Sequence, residues 1–544
     1  MLVFRVKWVS VLDYKLLMSI ADYVGYDPHS KLYLYRLNPV KAARVGLDET
    51  MNILSRVNVY LPSELRDVIK TLSKDCVDAY FTLEPPDIIL YMSASSVLEE
   101  LKRSRLIVWD GRSGTYRLKP KNLHKVVKIL EEKGLKCGFS FRLDYSLSFT
   151  PKLKLSLRRY QVDAYNAWVR NGCEGVIALP VAAGKTAIAL KAIEDLRVKT
   201  LVLVPTIDLL NQWFDNLVKY LSVPPSKVGI FGGGRREVNE VTIMTYDSAY
   251  LNLEKYPTSF GLIIADECHH AVSPNYRRAL ENSTAPYRIG LTATPLRSDG
   301  LHKYYGEVLG PIVYSLEREE LQREGYLAKH REERIYVSLT REELEKYRRL
   351  MKKYMDYCKR KFPEIKDPRL RFKKVLELAV KDHEAREALR AKHRARQIAL
   401  STERKIRLVE ELLTKYPNEK ILIFSRYTDI IREISRRFLI PRILHDTPKD
   451  ERKLYLRMFR EGRIRVLATA MALDEGVDVP DASVAIIISG TGSHREYVQR
   501  LGRILRPKER EAILIELITR RTLEPSLARR RRRFEVFMEE GDEG

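Results

Sequence analysis

Residues 179–186, LPVAAGKT, form the pattern in this chain that most directly implies chemistry. They lie between an apolar run at 174–180 and a helical run at 186–196. In a strand–loop–helix of this kind, successive backbone N–H groups and the helix N-terminus surround the phosphates of a nucleotide. Lys185 would reach the β- and γ-phosphates and the Thr186 hydroxyl would take a place on Mg²⁺, with Ala183 and Gly184 in the same ATP-binding loop. The pattern departs from its full form at Leu179, where glycine is expected, and at Ala183. An ordinary surface turn with the same residues remains open at this point.

A second cluster follows about 80 residues later. Asp266-Glu267 closes the apolar run GLIIA. Asp266 is placed to hold Mg²⁺, largely through water, and Glu267 to orient or deprotonate the water that attacks a γ-phosphate. His269, Thr292 and Thr294 read as a polar link from the nucleotide side to the next domain. His269 and His270 beside Cys268 have poor spacing for tetrahedral zinc. Upstream of the loop, Gln161 offers the donor and acceptor that an adenine edge requires, with Arg158 and Tyr160 as candidates for packing around it. A surface glutamine would look the same.

A third cluster is basic. In HREYVQRLGRILRP (494–507) Arg500, Arg503 and Arg506 recur at i+3 and share a helix face. No second phosphate loop accompanies them. Arg503 and Arg506 would neutralise charge developing on a γ-phosphate bound elsewhere, with Gln499 helping to place the water. A solvated arginine face is the plainer alternative.

Elements must hold these clusters in place. From about 151 to 315 the chain alternates apolar strand, short polar turn and helix, as in TLVLVPTIDLLNQWFDNLVKYL, VTIMTYDSAY and YRIGLTATP. This rhythm predicts an α/β fold with a mostly parallel sheet, its polar clusters at the strands' carboxyl ends. A second such lobe is expected over 416–515, from KILIFSRYTDIIREISRRF onward. Between them, 316–415 reads as a basic helical insertion and linker. From Arg341 to Glu410 there are 23 Lys and Arg against 12 Asp and Glu. Leu344, Tyr347, Met351 and Tyr354 or Tyr357 give that insertion one apolar face. Its basic face either leans over a nucleic-acid channel or is a solvated linker.

Residues 1–90 and 91–150 read as an N-terminal module and an accessory α/β region with linker. FRVKWVSVL, KLYLYRL and NVYLP are expected strands, 63–76 and 93–107 helices, 109–118 a hairpin and 122–134 a helix. Residues 516–544, with Arg529 to Arg533 in a row, read as a basic tail.

Length and composition bound the rest. A chain of 544 residues accommodates about three ordinary domains. A net charge of +25 favours a polyanion, nucleic acid ahead of a membrane surface. Five scattered cysteines without a C-x-x-C pair argue against a disulfide framework and for a reducing interior, hence a cytoplasmic location. The start MLVFRVKWVSVLDY carries charge within its apolar stretch and does not read as a signal peptide. No membrane span is expected.

Taken in order, RRYQ (158–161), LPVAAGKT, LVPT (203–206), TYDS (245–248), DECH (266–269), TAT (292–294), ILIFSRYTD (421–429), DEGVDVP (474–480) and QRLGRILRP (499–507) resemble the two-lobed superfamily-2 helicases. Within them the chain is most similar to the xeroderma pigmentosum group B (XPB) type, especially archaeal members. The resemblance covers roughly residues 150–515. It implies two RecA-like lobes, Mg²⁺-dependent ATP hydrolysis stimulated by DNA, 3′-to-5′ polarity and DNA opening in repair or transcription. It also implies an N-terminal module similar to a damage-recognition domain, a thumb-like insertion, DNA as partner (single-stranded, duplex or junction), and in archaea a nuclease partner and nucleoid association. By position, Gly476 and Asp478 fall with the ATP-binding residues and Arg500 with the interlobe ones. Thr206, Thr245 and Thr469 would touch the DNA backbone. The family's Arg-Glu-Asp element appears as Arg297-Ser298-Asp299, with Arg297 toward DNA. Three other readings stay open: a duplex translocase that does not separate strands, a non-hydrolysing scaffold clamped by ATP, and an RNA helicase.

Overall fold

The computed structural model describes residues 2–7, 10–92, 96–297, 299–326, 330–470, 482–489, 512–526 and 528–529. The chain divides into two compact units, residues 1–178 with 185–315, and residues 179–184 with 316–544.

The first unit opens with a three-stranded antiparallel sheet, order β1-β3-β2, from β1 (Val3–Val6), β2 (Ala21–Asp27) and β3 (Leu32–Leu37). Helices α1 (Val11–Ile20), α2 (Pro39–Val45), α3 (Leu47–Arg56) and α4 (Ser63–Lys74) complete its core. Two expectations fail here. The strand expected over 4–12 ends at Val6; Val11 and Leu12 instead open α1, where Ser10 Oγ accepts the Asp13 N–H at 3.1 Å and Leu17 and Ile20 are buried. NVYLP is an irregular connection between two helices.

A second sheet, order β6-β7-β5-β4-β8, joins β4 (Ala79–Glu84), β5 (Asp87–Met92), β6 (Val108–Asp110), β7 (Thr115–Leu118) and β8 (Cys137–Phe139), covered by α5 (Ser96–Arg103) and α6 (Leu123–Glu132). The boundary expected at residue 90 therefore cuts through β5. The break between the two small sheets lies before β4, since β4 and β5 pair along their full length.

The segment after β8 straps this module to the large sheet. Tyr145 Oη meets Thr284 Oγ1 at 2.8 Å, and Ser148 N–H and Oγ–H both reach Glu240 at 2.6 Å. Lys121–Glu281 and Lys125–Glu174 ion pairs, each 3.0 Å, add to this.

The large sheet has the order β12-β11-β13-β10-β14-β15-β9-β16. Its strands are β9 (Glu174–Ala178), β10 (Thr200–Val204), β11 (Val228–Gly232), β12 (Arg235–Arg236), β13 (Val241–Thr245), β14 (Leu262–Asp266), β15 (Tyr287–Thr292) and β16 (Ile312–Ser315). All pairings are parallel except the β11–β12 hairpin. The central strands are mostly apolar and buried throughout, as a sheet covered on both faces requires. The covering helices are α7 (Arg159–Arg170), α8 (Lys185–Leu196), α9 (Ile207–Tyr220), α10 (Tyr246–Asn252), α11 (Pro274–Glu281) and α12 (Tyr305–Val308).

In the second unit, α13 (Arg318–Arg323) precedes a six-stranded parallel sheet of order β17-β22-β21-β18-β20-β19. The strands are β17 (His330–Val337), β18 (Ile421–Ser425), β19 (Arg442–Ile443), β20 (Val466–Ala470), β21 (Val484–Ile487) and β22 (Ala512–Thr519). Helices α14 (Arg341–Lys361), α15 (Pro368–Leu378) and α16 (His383–Leu400) form the basic insertion, and α17 (Glu403–Lys415), α18 (Thr428–Phe438) and α19 (Lys449–Arg460) cover the sheet. Tyr347, Tyr354 and Tyr357 of α14 are buried as their spacing predicts, against an alanine stripe on α16 (Ala385, Ala388, Ala395, Ala399). One carboxylate ties the insertion's ends together. Glu343 accepts from Thr340 N–H (2.9 Å) at the start of α14 and from the Thr402 hydroxyl (2.7 Å) just before α17.

The domain limits expected for this unit move in two places. β17 belongs to the sheet and not to the insertion. β22, which lies between β17 and β21, runs past the expected limit at 515, so residues 516–519 are sheet and not tail.

Candidate nucleotide and nucleic-acid site

Strand register explains why residues distant in sequence meet. Ala178, the last residue of β9, is level with Thr292 of β15; Leu291 is level with Asp266 of β14; Val204 of β10 is level with Thr245 of β13. The phosphate loop, the acid pair, TAT and the two threonine turns therefore leave one edge of one sheet, at the carboxyl ends of its strands.

At the loop, φ is +67° at Ala182 and +72° at Gly184. Ala182 thus adopts a left-handed conformation that glycine holds without strain. Left-handed residues in such a loop turn successive N–H groups toward a common centre, which suits an anion. Lys185 and Thr186 open α8 directly after it. Burial lowers the Lys185 pKa below the usual lysine value, opposed by the charges of Glu267 and Asp266.

Asp266 is 8% exposed. Its Oδ2 accepts the Trp213 indole N–H at 2.8 Å, and its Oδ1 accepts the Glu267 N–H at 3.0 Å. Burial raises its pKa, opposed first by the Trp213 hydrogen bond and then by Lys185. Glu267 sits at φ +47°, so the chain turns sharply away from β14. Gly290 of β15 makes room for that turn: a Cβ there would come within 3.0 Å of Cys268 Sγ.

Glu267 Oε2 lies 3.4 Å from His269 Nδ1, and that nitrogen lies 3.4 Å from Thr292 Oγ1. Thr292 Oγ1 also accepts the Thr294 N–H at 3.1 Å. Arg297 Nη1 donates to the His269 carbonyl, while its Nε and Nη2 hold Asp299 at 2.9 and 2.6 Å. The Arg297 hydrogen bonds hold the Asp299 carboxyl at about 2. Glu267, His269, Thr292, Thr294 and Arg297 thus form one continuous polar network.

Other expected residues are placed differently. Gln161 is 4% exposed, and its Oε1 accepts the Arg158 N–H at 2.8 Å, closing the first turn of α7. Thr206 and Thr245 cap α9 and α10, accepting from Leu209 N–H (3.3 Å) and Ser248 N–H (3.2 Å). The Thr245 hydroxyl, buried, donates its own proton to Ser248 Oγ at 2.8 Å. Thr469 has no exposed surface, and its hydroxyl donates to the Ala470 carbonyl at 2.6 Å. The expected phosphate contact therefore fails for Thr469, whose proton is committed to its own strand end. Gly476, Asp478, Gln499, Arg500, Arg503, Arg506 and Ser298 lie outside the described residues. Among the described residues there is no cluster of metal-ligating side chains and no helix long and apolar enough to cross a membrane.

The chain matches two family models. Residues 154–297 match the type III restriction enzyme res subunit, and residues 404–508 the helicase conserved C-terminal domain. It is 46% identical over 384 residues to the DNA 3′-5′ translocase XPB2 of Sulfurisphaera tokodaii, covering 70% of this chain and 85% of that one. This chain belongs to the XPB family of superfamily-2 DNA helicases. It is also 29% identical to a putative DNA 3′-5′ helicase Rad25 of Haloarcula marismortui (78% of this chain, 61% of that one) and 30% identical to the DNA 3′-5′ helicase XPB of Mycobacterium tuberculosis (70% and 63%). The aligned part spans less than two thirds of the length of those two relatives.

Helicase domains of this superfamily use ATP with Mg²⁺, and the donor set here fits such an ion. Thr186 and Asp266 would supply hard oxygen ligands, few in number, which suits a cation that keeps several waters. The donors already on Asp266, an indole and a backbone amide, are neutral and leave the carboxylate its charge. Sequence reasoning missed Trp213 and Tyr246. Tyr246 Oη–H donates to the Asp266 main-chain carbonyl at 2.8 Å. The available signal was general: a buried indole N–H or phenol O–H needs an acceptor.

Proposed function

We propose that this chain is an ATP-driven motor on DNA, moving 3′ to 5′ and opening or remodelling duplex in repair or transcription. One observation carries the reading: the phosphate loop, the acid pair and the two threonine-capped turns share one edge of one parallel sheet.

In this reading Lys185 and the loop N–H groups bind the phosphates of ATP, and Thr186 and Asp266 hold Mg²⁺. When bound, the metal supplies charge neutralisation on the β- and γ-phosphates. Glu267 orients and deprotonates the attacking water, and His269 steadies the Glu267 carboxylate. Gln499, Arg503 and Arg506 complete the site. The turns that Thr206 and Thr245 cap grip backbone phosphates, a contact that is independent of sequence and weakened by salt.

A second reading, translocation along duplex without strand separation, is favoured by Arg297. The nitrogens of its guanidinium are occupied by Asp299 and the His269 carbonyl.

Paired assays discriminate, each run with and without a candidate nuclease partner. A motor that opens DNA releases the shorter strand of a 3′-tailed duplex. A duplex translocase displaces a triplex-forming strand and leaves the tailed duplex intact. Inactivity in both assays, with ATP turnover unmoved by DNA, would defeat the motor reading.

A further inference from the structure

Two buried aromatic side chains outside the phosphate loop and the acid pair converge on Asp266. Trp213, 1% exposed, donates its indole N–H to Asp266 Oδ2 at 2.8 Å. Tyr246, 2% exposed, donates its hydroxyl to the Asp266 main-chain carbonyl at 2.8 Å. One donor therefore sets the carboxylate's torsion, and the other fixes the backbone that carries it. Each comes from a different threonine-capped turn. Trp213 is two helical turns into α9, whose cap is Thr206, and Tyr246 directly follows Thr245 at the start of α10.

A second fully buried tryptophan provides an internal comparison. Trp168 of α7 donates its indole N–H to the main-chain carbonyl of Arg288 at 2.8 Å, which is all that burial requires. Trp213 takes instead the side chain of the first member of the acid pair. That choice gives the carboxylate a mechanical link to α9.

We propose that Trp213 and Tyr246 are positioning residues that transmit the state of the Thr206 and Thr245 turns to Asp266, so that DNA held at those turns sets the geometry of the acid pair. The proposal rests on the motor reading above. α9 is one continuous helix, so a displacement of its cap carries Trp213 with it. A shift of about 1 Å at its cap lengthens the indole–carboxylate bond beyond hydrogen-bond range and frees the carboxylate to rotate.

The test uses the full-length chain. Its four tryptophans, Trp8, Trp109, Trp168 and Trp213, give four indole N–H resonances, assigned by single substitutions to phenylalanine. Titration with a single-stranded oligonucleotide, without nucleotide or magnesium, moves the Trp213 resonance and leaves that of Trp168 in place. In turnover assays, Trp213→Phe lowers the ratio of DNA-stimulated to basal ATP hydrolysis about tenfold, the scale of one hydrogen bond to a charged group. Tyr246→Phe lowers the same ratio, and Trp168→Phe leaves it unchanged. A merely structural role would reduce both rates together and leave the ratio alone, which would overturn the proposal. So would a Trp213 resonance indifferent to DNA. If the unsubstituted protein shows no stimulation by DNA at all, the motor reading itself fails and takes this proposal with it.

Discussion

Each of the two units buries a carboxylate beside its parallel sheet, and the two are treated in opposite ways. Asp266 in the first unit takes neutral donors, an indole and a backbone amide. Glu524 in the second, 1% exposed, takes the Lys405 ammonium on both oxygens at 2.8 Å and the Thr519 N–H at 2.7 Å. Lys405 also donates to the Ile488 carbonyl at 2.6 Å, so the ion pair pins α17 to the end of β21 and to the turn after β22. A carboxylate that grips a cation on both oxygens has little left for a ligand. One held by neutral dipoles is not already neutralised by a bonded cation. Burial alone therefore does not mark a site; the partner's charge separates a working acid from a structural one.

The largest effect expected from this contrast is on turnover. Glu267→Gln removes the proposed base while preserving shape, and Lys185→Ala removes the cation proposed to meet the phosphates. Each should lower DNA-stimulated ATP hydrolysis, Glu267→Gln by about 10²- to 10⁴-fold, the scale of general-base catalysis. Turnover within a few-fold of the unsubstituted protein would break the assignment of the first carboxylate group as the working one.

The opposite signature is expected at the paired carboxylate. Lys405→Met strands a buried Glu524 and should cost about 3–5 kcal/mol of stability, read from urea midpoints of the second unit. Adding Glu524→Leu should recover most of that loss, because an apolar pair of similar volume has no charge to desolvate. A Lys405→Met protein as stable as the parent would end the comparison from the other side.

The sequence made the first of these carboxylates legible and concealed the second. Asp266-Glu267 follows five apolar residues in a repeating strand–turn–helix rhythm, and a parallel sheet brings every such turn to one edge. Local pattern therefore predicts the site. Lys405 and Glu524 are 119 residues apart, and each reads as an ordinary surface charge within a charged stretch. Only the insertion of β22 between β17 and β21 brings the second to the first. The same cause moved the limit expected at 515, since a strand contributed late in the chain has no rhythm to announce it. Trp213 was hidden differently: the identity of its acceptor depended on how α9 lies against the sheet. The strand expected over 4–12 ran too far because Val11 and Leu12 fit either period; the Ser10 cap starts a helix there.

A third buried titratable group sharpens the contrast by neither keeping its charge nor pairing it. His124 of α6 lies beside the Lys121–Glu281 and Lys125–Glu174 bridges, and its Nδ1 is buried with no hydrogen-bond partner among the described residues. Burial pushes the imidazole pKa down to about 4, with Glu174 pulling weakly the other way. Above pH ~6.5 the ring is neutral in both folded and unfolded chains and contributes no pH dependence. As the pH falls toward about 4, the unfolded chain takes up a proton that the folded chain refuses, so stability is lost across that window, up to about 3 kcal/mol. Between pH 7 and 5 the parent should lose about 2 kcal/mol more than His124→Gln, measured as the difference in urea midpoints of the first unit at the two values. Equal losses would mean that the folded protein protonates His124 as readily as the unfolded one does. The small module would then bear on the large sheet through a charged contact, as at Glu524, and not through a neutral one.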